Sequence, residues 1–108
     1  MSGTVNRLQQ LKQFLEEDPA DPFAHYALAL EYLKTEPRKA AEIFEHLITH
    51  HPQYLPTYYP YAHLMAELNN GSRAEELFRQ GIALAAKQNN NKARLELSNA
   101  YLNWQADQ

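Results

Sequence analysis

Nearly the same helix pair is written twice in this chain. Ala29-x-x-Tyr32 returns as Ala62-x-x-Met65 after 33 residues, and Ala40-x-x-x-Phe44 returns as Ala74-x-x-x-Phe78 after 34. Self-similarity at a fixed period of this length marks a repeat array. In such an array no single unit buries its apolar face alone, and stacked neighbours build one continuous core.

Within the array the apolar periodicity is helical. A first helix is predicted over about 4–17, where Val5, Leu8, Leu11 and Leu15 recur on one stripe with Phe14 beside them. Asp18-Pro19 ends it, because proline cannot continue the hydrogen-bond ladder and pushes its predecessor out of the α region. Asp21 is a good N-cap for a second helix that has Pro22 at its first position and runs to about Lys34. Glu36-Pro37 opens a third, with Ala40, Ile43, Phe44, Leu47 and Ile48 on its apolar face, and His51-Pro52 stops it.

Pro56 and Pro60 conflict with one continuous fourth helix. The conflict disappears if Thr57 is the N-cap and Pro60 falls in the first turn, where its missing donor is not needed. The helix then covers about 58–68. Asn69-Asn70-Gly71 is a turn, and Ser72 is read as the cap of a fifth helix, completing a capping box with Glu75. After Asn89-Asn90-Asn91 a sixth helix covers about 92–105 and carries Leu95, Leu97, Tyr101, Leu102 and Trp104. The turns are short, so sequence neighbours pack antiparallel. Strand signals are absent, and the predicted fold is all-α with six helices.

Leu28-Ala29 and Tyr32, followed by Ala40, Phe44, Leu47 and Pro52, resemble one unit of the tetratricopeptide repeat, a helix–turn–helix of about 34 residues. Tyr58, Tyr61-Ala62 and Met65, followed by Ala74, Phe78 and Gly81, resemble the next. Small residues stand where helix axes approach, and aromatic rings fill the space between layers. The resemblance implies an α–α superhelix forming a single domain over 1–108, with repeats over 22–53 and 55–88. An N-terminal helix over 4–17 is similar to the second half of a preceding repeat, through Leu11, Phe14, Leu15 and Asp18-Pro19. A C-terminal capping helix over 92–105 is similar to the first half of a following one, through Leu97-Ser98 and Tyr101. The shorter 33-residue step places a one-residue deletion at the Thr35-Glu36 turn, which lacks the usual glycine.

In the family, ligands are extended or helical peptides on the concave face lined by the first helix of each pair. Carried over by position, that face comprises Phe23, Tyr26, Leu30, Leu33 and Lys34 from one repeat. Tyr59, His63, Ala66 and Glu67 come from the next, with Tyr54 at the junction. The resemblance thus implies an aromatic, mildly apolar groove for a partner protein or peptide, with Lys34 and Glu67 tuning specificity at its rim. Some members hold a C-terminal carboxylate with a Lys/Asn/Arg clamp on this face. The corresponding positions are Phe23, Tyr26, Leu30, Tyr59 and His63, so the clamp is missing. The rival expectation is structural: the Leu8/Leu11/Leu15 stripe and the Leu95/Leu102/Trp104 face stack or exchange between copies, making a homo-oligomer.

Charge narrows the partners. Ten Lys and Arg against 13 Asp and Glu give a net charge of −3 with no basic block, which argues against a phosphate-binding surface and a nucleic-acid partner. There is no cysteine for a disulfide or a thiolate metal site. The first residues, Met1 to Arg7, lack the apolar run of a signal peptide, and no stretch is long enough to span a bilayer. The expectation is a cytoplasmic protein with no membrane partner.

His46, His50 and His51 are the one cluster with metal-ligand spacing. His46 and His50 share a helix face, but no third ligand is assignable, and no metal or cofactor is expected. His25 and His63 lack a positioned partner for proton transfer, and the serine, histidine and acid spacings match no nucleophilic arrangement. No catalytic residue is assigned, and an enzyme or metal protein ranks third.

Overall fold

A computed structural model of the chain describes residues 3–108, with side chains from residue 7 onward. Val5, placed by its spacing on the first apolar stripe, therefore has a side chain outside the described residues. The described residues form helices α1 (Gly3–Glu17), α2 (Pro22–Leu33), α3 (Pro37–His50), α4 (Tyr58–Glu67), α5 (Gly71–Lys87) and α6 (Asn91–Ala106), and no strand. A single 3-10 turn, Leu55–Thr57, leads into α4. Two compact units divide between Tyr54 and Leu55.

In the first unit α2 packs against both α1 and α3. The Asp21 carboxylate caps α2 by accepting from the Phe23 N–H at 3.0 Å, with Pro22 next to it at the helix start. The helix closes when the Thr35 and Glu36 N–H groups return to the Tyr32 carbonyl, and Pro37 then opens α3. Ala29, Ala40, Phe44 and Leu47 are fully buried, so the small positions of the repeat do lie where helices approach closely. Leu11 is buried as well. Leu8 and Leu15 of the same stripe are half-buried on a helix that packs against α2, and among the described residues of α1 Phe14 is the large apolar side chain left exposed.

The second unit is held by α5, which packs against α4 on one side and α6 on the other. Ala62, Ala74, Leu77, Phe78 and Ala85 are fully buried. Gly81 marks a close approach. A Cβ there would stand 2.8 Å from Tyr58 Cβ and 3.1 Å from Leu97 Cδ1, so α4 and α6 close on α5 at the same point.

Paired asparagines punctuate this unit. Asn69 (φ 61°) and Asn89 (φ 57°) take the left-handed conformation that ends a helix. Around each, two bonds close the Schellman motif: Asn70 N–H to Met65 O and Asn69 N–H to Ala66 O after α4, then Asn90 N–H to Ala85 O and Asn89 N–H to Ala86 O after α5. The next asparagine then caps the following helix, Asn70 through Arg73 N–H and Asn90 through Ala93 N–H.

Two sequence expectations are corrected here. Ser72 does not cap α5: Asn70 does, and Ser72 lies in the first turn while Glu75 pairs with Arg79 at 3.1 Å instead of closing a capping box. Thr57 does stand at the N-cap position of α4, as expected, but it is itself α-helical in backbone and its side chain makes no cap bond. The 3-10 turn leads the chain directly into the helix. Pro60 does fall in the first turn, as its missing donor requires.

Candidate interaction site

In the first unit, α2 sets out the expected residues unequally. Phe23 is 61% exposed and Lys34 is exposed, whereas Tyr26, Leu30 and Leu33 are half-buried. Tyr26 and Tyr54 come together, the rings meeting edge to face at 5.8 Å, and Tyr26 also lies 6.5 Å from the Phe44 ring. Burial raises the phenol pKa of Tyr26. It also raises that of Tyr54, where Tyr26 and Asp21 add to the effect.

Lys34 is not a free rim charge. Its ammonium donates to Glu31 at 3.0 Å, and the other Glu31 oxygen meets Arg7 of α1 at 3.2 Å. Glu31 is only 7% exposed, so a carboxylate joins α1 to α2 from the buried side. The sequence reading passed over Glu31. Its local signal was the three-residue spacing to Lys34.

The histidines regroup. His25 of α2 lies 4.6 Å from His46 by ring centroid, and His46 lies 4.4 Å from His50, beside a surface hollow of about 350 Å³ that His51 also lines. His25 Nε2 donates to the Pro19 carbonyl at 2.8 Å. Among the described residues no group of three or more His, Asp or Glu is arranged to hold a metal ion.

Desolvation lowers the His46 pKa from 6.5, and His25, His50 and His51 lower it further. A histidine lowered on folding binds more protons unfolded than folded, so stability falls as pH drops below about 6.5 until the lowered value is passed. Because His46 is largely exposed, the effect should be small. His46→Gln should lose less thermal stability than the parent between neutral pH and pH about 5. Equal losses in paired melts would contradict this.

In the second unit, Tyr59 is 42% exposed and lies over His63 at 4.6 Å. His63 meets the edge of Phe78, whose ring continues to Tyr101 at 5.6 Å and Trp104 at 6.1 Å. These rings back a cleft of about 460 Å³ between α4 and α6. Tyr59 and His63 line it from α4. From α6 come Glu96, Asn99, Ala100, Asn103 and Trp104, with Asp107 just past the helix end. Glu67 is exposed at the end of α4 and lies outside the lining.

The structure therefore brings Tyr59 and His63 together but completes their surroundings with α6, whose residues sequence reasoning did not assign to the site. The available signal was the spacing of 96, 99, 103 and 107 along one helix face. Trp104, read as part of an open end, is instead half-buried in the ring cluster, while Leu95 (52%) and Leu102 (63%) stay exposed.

Helix pairs repeated in register, with small residues at the crossings and rings between layers, define an all-α helical repeat protein. The chain is similar to a tetratricopeptide repeat domain protein from Salinibacter ruber. Its crystal structure is 36% identical, has a TM-score of 0.75, and aligns over 80% of this chain and 97% of that one. The solution NMR structure gives 37% identity, a TM-score of 0.78, and coverage of 82% and 91%. The chain belongs to the tetratricopeptide repeat family. The crystal structure of MamA shares the fold at 14% identity and a TM-score of 0.64, over 93% of this chain and 67% of that one. No family sequence model and no curated protein sequence matches the chain. No helix among the described residues is long and apolar enough to cross a membrane.

Proposed function

We propose that the chain is a protein-interaction module, a binding protein and not an enzyme. It holds a partner segment on its first helices: on α2 in the first unit, and on α4 with α6 in the second. The observation that carries this reading is the exposure of large side chains on these helices, Phe23 at 61% and Tyr59 at 42%. The rings of the second helices, Phe44 and Phe78, are fully buried. A scaffold alone has no need to present rings to water, and amphipathic rings beside a cleft are the usual anchors of protein recognition. In the first unit Tyr26, Tyr54, Leu30 and Leu33 are half-buried and Lys34 is exposed with its charge paired to Glu31; in the second, Glu67 is exposed at the end of α4.

Phe23→Ala with Tyr59→Ala tests the reading, since both side chains are exposed and the fold should survive. Proteins captured from lysate of the source organism should fall in yield by about tenfold or more. An unchanged set of captured proteins, with unchanged circular dichroism, overturns the proposal.

Exposed Phe14 on α1, and Leu95 with Leu102 on α6, favour a second reading in which copies associate through these faces. Light scattering separates the two readings. A molecular mass that rises with concentration and returns to one chain in Leu95→Gln/Leu102→Gln supports self-association, and a strict monomer removes it.

A further inference from the structure

The cleft of the second unit has a definite charge. Two carboxylates line it, Glu96 and Asp107, and no lysine or arginine does. On α5 the carboxylates are matched: Glu76 pairs with Arg73, and Glu75 with Arg79, which Tyr101 holds further by its hydroxyl. Among the described residues neither Glu96 nor Asp107 has an ion pair. Lys92, one turn before Glu96, stays outside the lining. The two arginines of α5 are thus spent on its own carboxylates, while Glu96 and Asp107 face the cleft without a cation among its lining residues.

The remaining walls suit a peptide and not a free ion. Asn99 and Asn103 are one turn apart on α6, and each carboxamide can both donate and accept, as an extended backbone requires. Tyr59 and Trp104 offer ring faces that attract a cation. His63 Nε2 lies behind this wall, shut off from solvent and without a hydrogen-bond partner among the described residues. Glu96 and Asp107 are eleven residues apart, about 16 Å along a helix, a distance that about five extended residues cover.

We propose that this cleft takes a partner segment with lysine or arginine at two positions about five residues apart, lying extended along α6. Glu96 and Asp107 are its charge partners, and the carboxamides hold its backbone. This rests on the interaction-module reading and adds the sign and spacing of the partner.

Trp104 is the only tryptophan, so its emission reports on the cleft directly. Random decapeptides displayed on phage are selected against the immobilised full chain at low salt, and enriched peptides are synthesised and titrated by Trp104 fluorescence. The expected result is enrichment of Lys or Arg pairs at this spacing. Binding should weaken with salt, and by about tenfold or more in Glu96→Gln/Asp107→Asn, but not in Glu75→Gln/Glu76→Gln. All four positions face solvent at least in part, and circular dichroism checks that the variants stay folded.

Enriched peptides that are neutral or acidic, or that bind Glu96→Gln/Asp107→Asn as tightly as the parent, overturn the inference and leave the interaction module standing. A Trp104 response to free spermidine equal to that of the peptide overturns the peptide assignment. Failure to enrich any peptide overturns the inference, and the module reading falls with it only if capture by Phe23→Ala/Tyr59→Ala is also unchanged.

Discussion

Phe78→Ala is expected to cost about 3–5 kcal/mol, a large share of the 5–15 kcal/mol that holds a typical domain folded. Phe78 is fully buried on α5, and its ring meets His63 of α4 and both Tyr101 and Trp104 of α6. Truncation loses the transfer free energy of the ring and leaves a void that three surrounding rings cannot easily collapse into. Urea unfolding should show the lower midpoint, and Trp104 emission should shift because its neighbouring ring is gone. A loss below about 1 kcal/mol would mean that the ring cluster repacks freely, and the cleft wall built on it would then not be preformed.

Gly81→Ala should destabilise although helix propensity argues the other way. Removing a glycine from a helix interior is worth about 1 kcal/mol in favour of alanine. Against this, the added Cβ would lie 2.8 Å from Tyr58 Cβ, an atom bonded directly to the α4 backbone and unable to swing aside. Leu97 Cδ1, at 3.1 Å from the other side, blocks the opposite escape. Overpacking of this kind costs about 1–3 kcal/mol, enough to outweigh the propensity gain, and Gly81→Leu should cost more. Gly71→Ala is the control: its Cβ meets only Trp104 Cζ2 at an ordinary 3.5 Å and should be tolerated. Thermal melts read both, and a higher melting temperature for Gly81→Ala would show that the close approach does not limit the packing.

The architecture was legible because its punctuation is strong. Proline at 22, 37 and 52 and asparagine pairs at 69–70 and 89–90 bound the helices where the structure has them. The repeat register also placed Tyr59 and His63 on one face, since residues four apart on a helix must be neighbours. What stayed hidden depends on contacts that spacing does not encode. Asn70 and Ser72 are both good caps two residues apart. The choice falls to Asn70 because Asn69 turns left-handed and starts the next helix at once. Glu31 pairs with Arg7, far away in sequence on a different helix. His25 joins His46 for the same reason. The α6 wall of the cleft was missed because that helix was read as a cap, a role that leaves its inward polar residues without a task.

Within each unit, the main helix pairings among the described residues join neighbours in the sequence: α1 with α2 and α2 with α3, then α4 with α5 and α5 with α6. Contacts formed across such short stretches close small loops, and the chain entropy lost before each contact forms is correspondingly low. The consequence is kinetic. Folding should fall in the microsecond-to-millisecond range of low-contact-order helical proteins. During synthesis the pairings among α1, α2 and α3 should become available as soon as residue 54 clears the ribosome, leaving little time for half-made apolar faces to meet another chain.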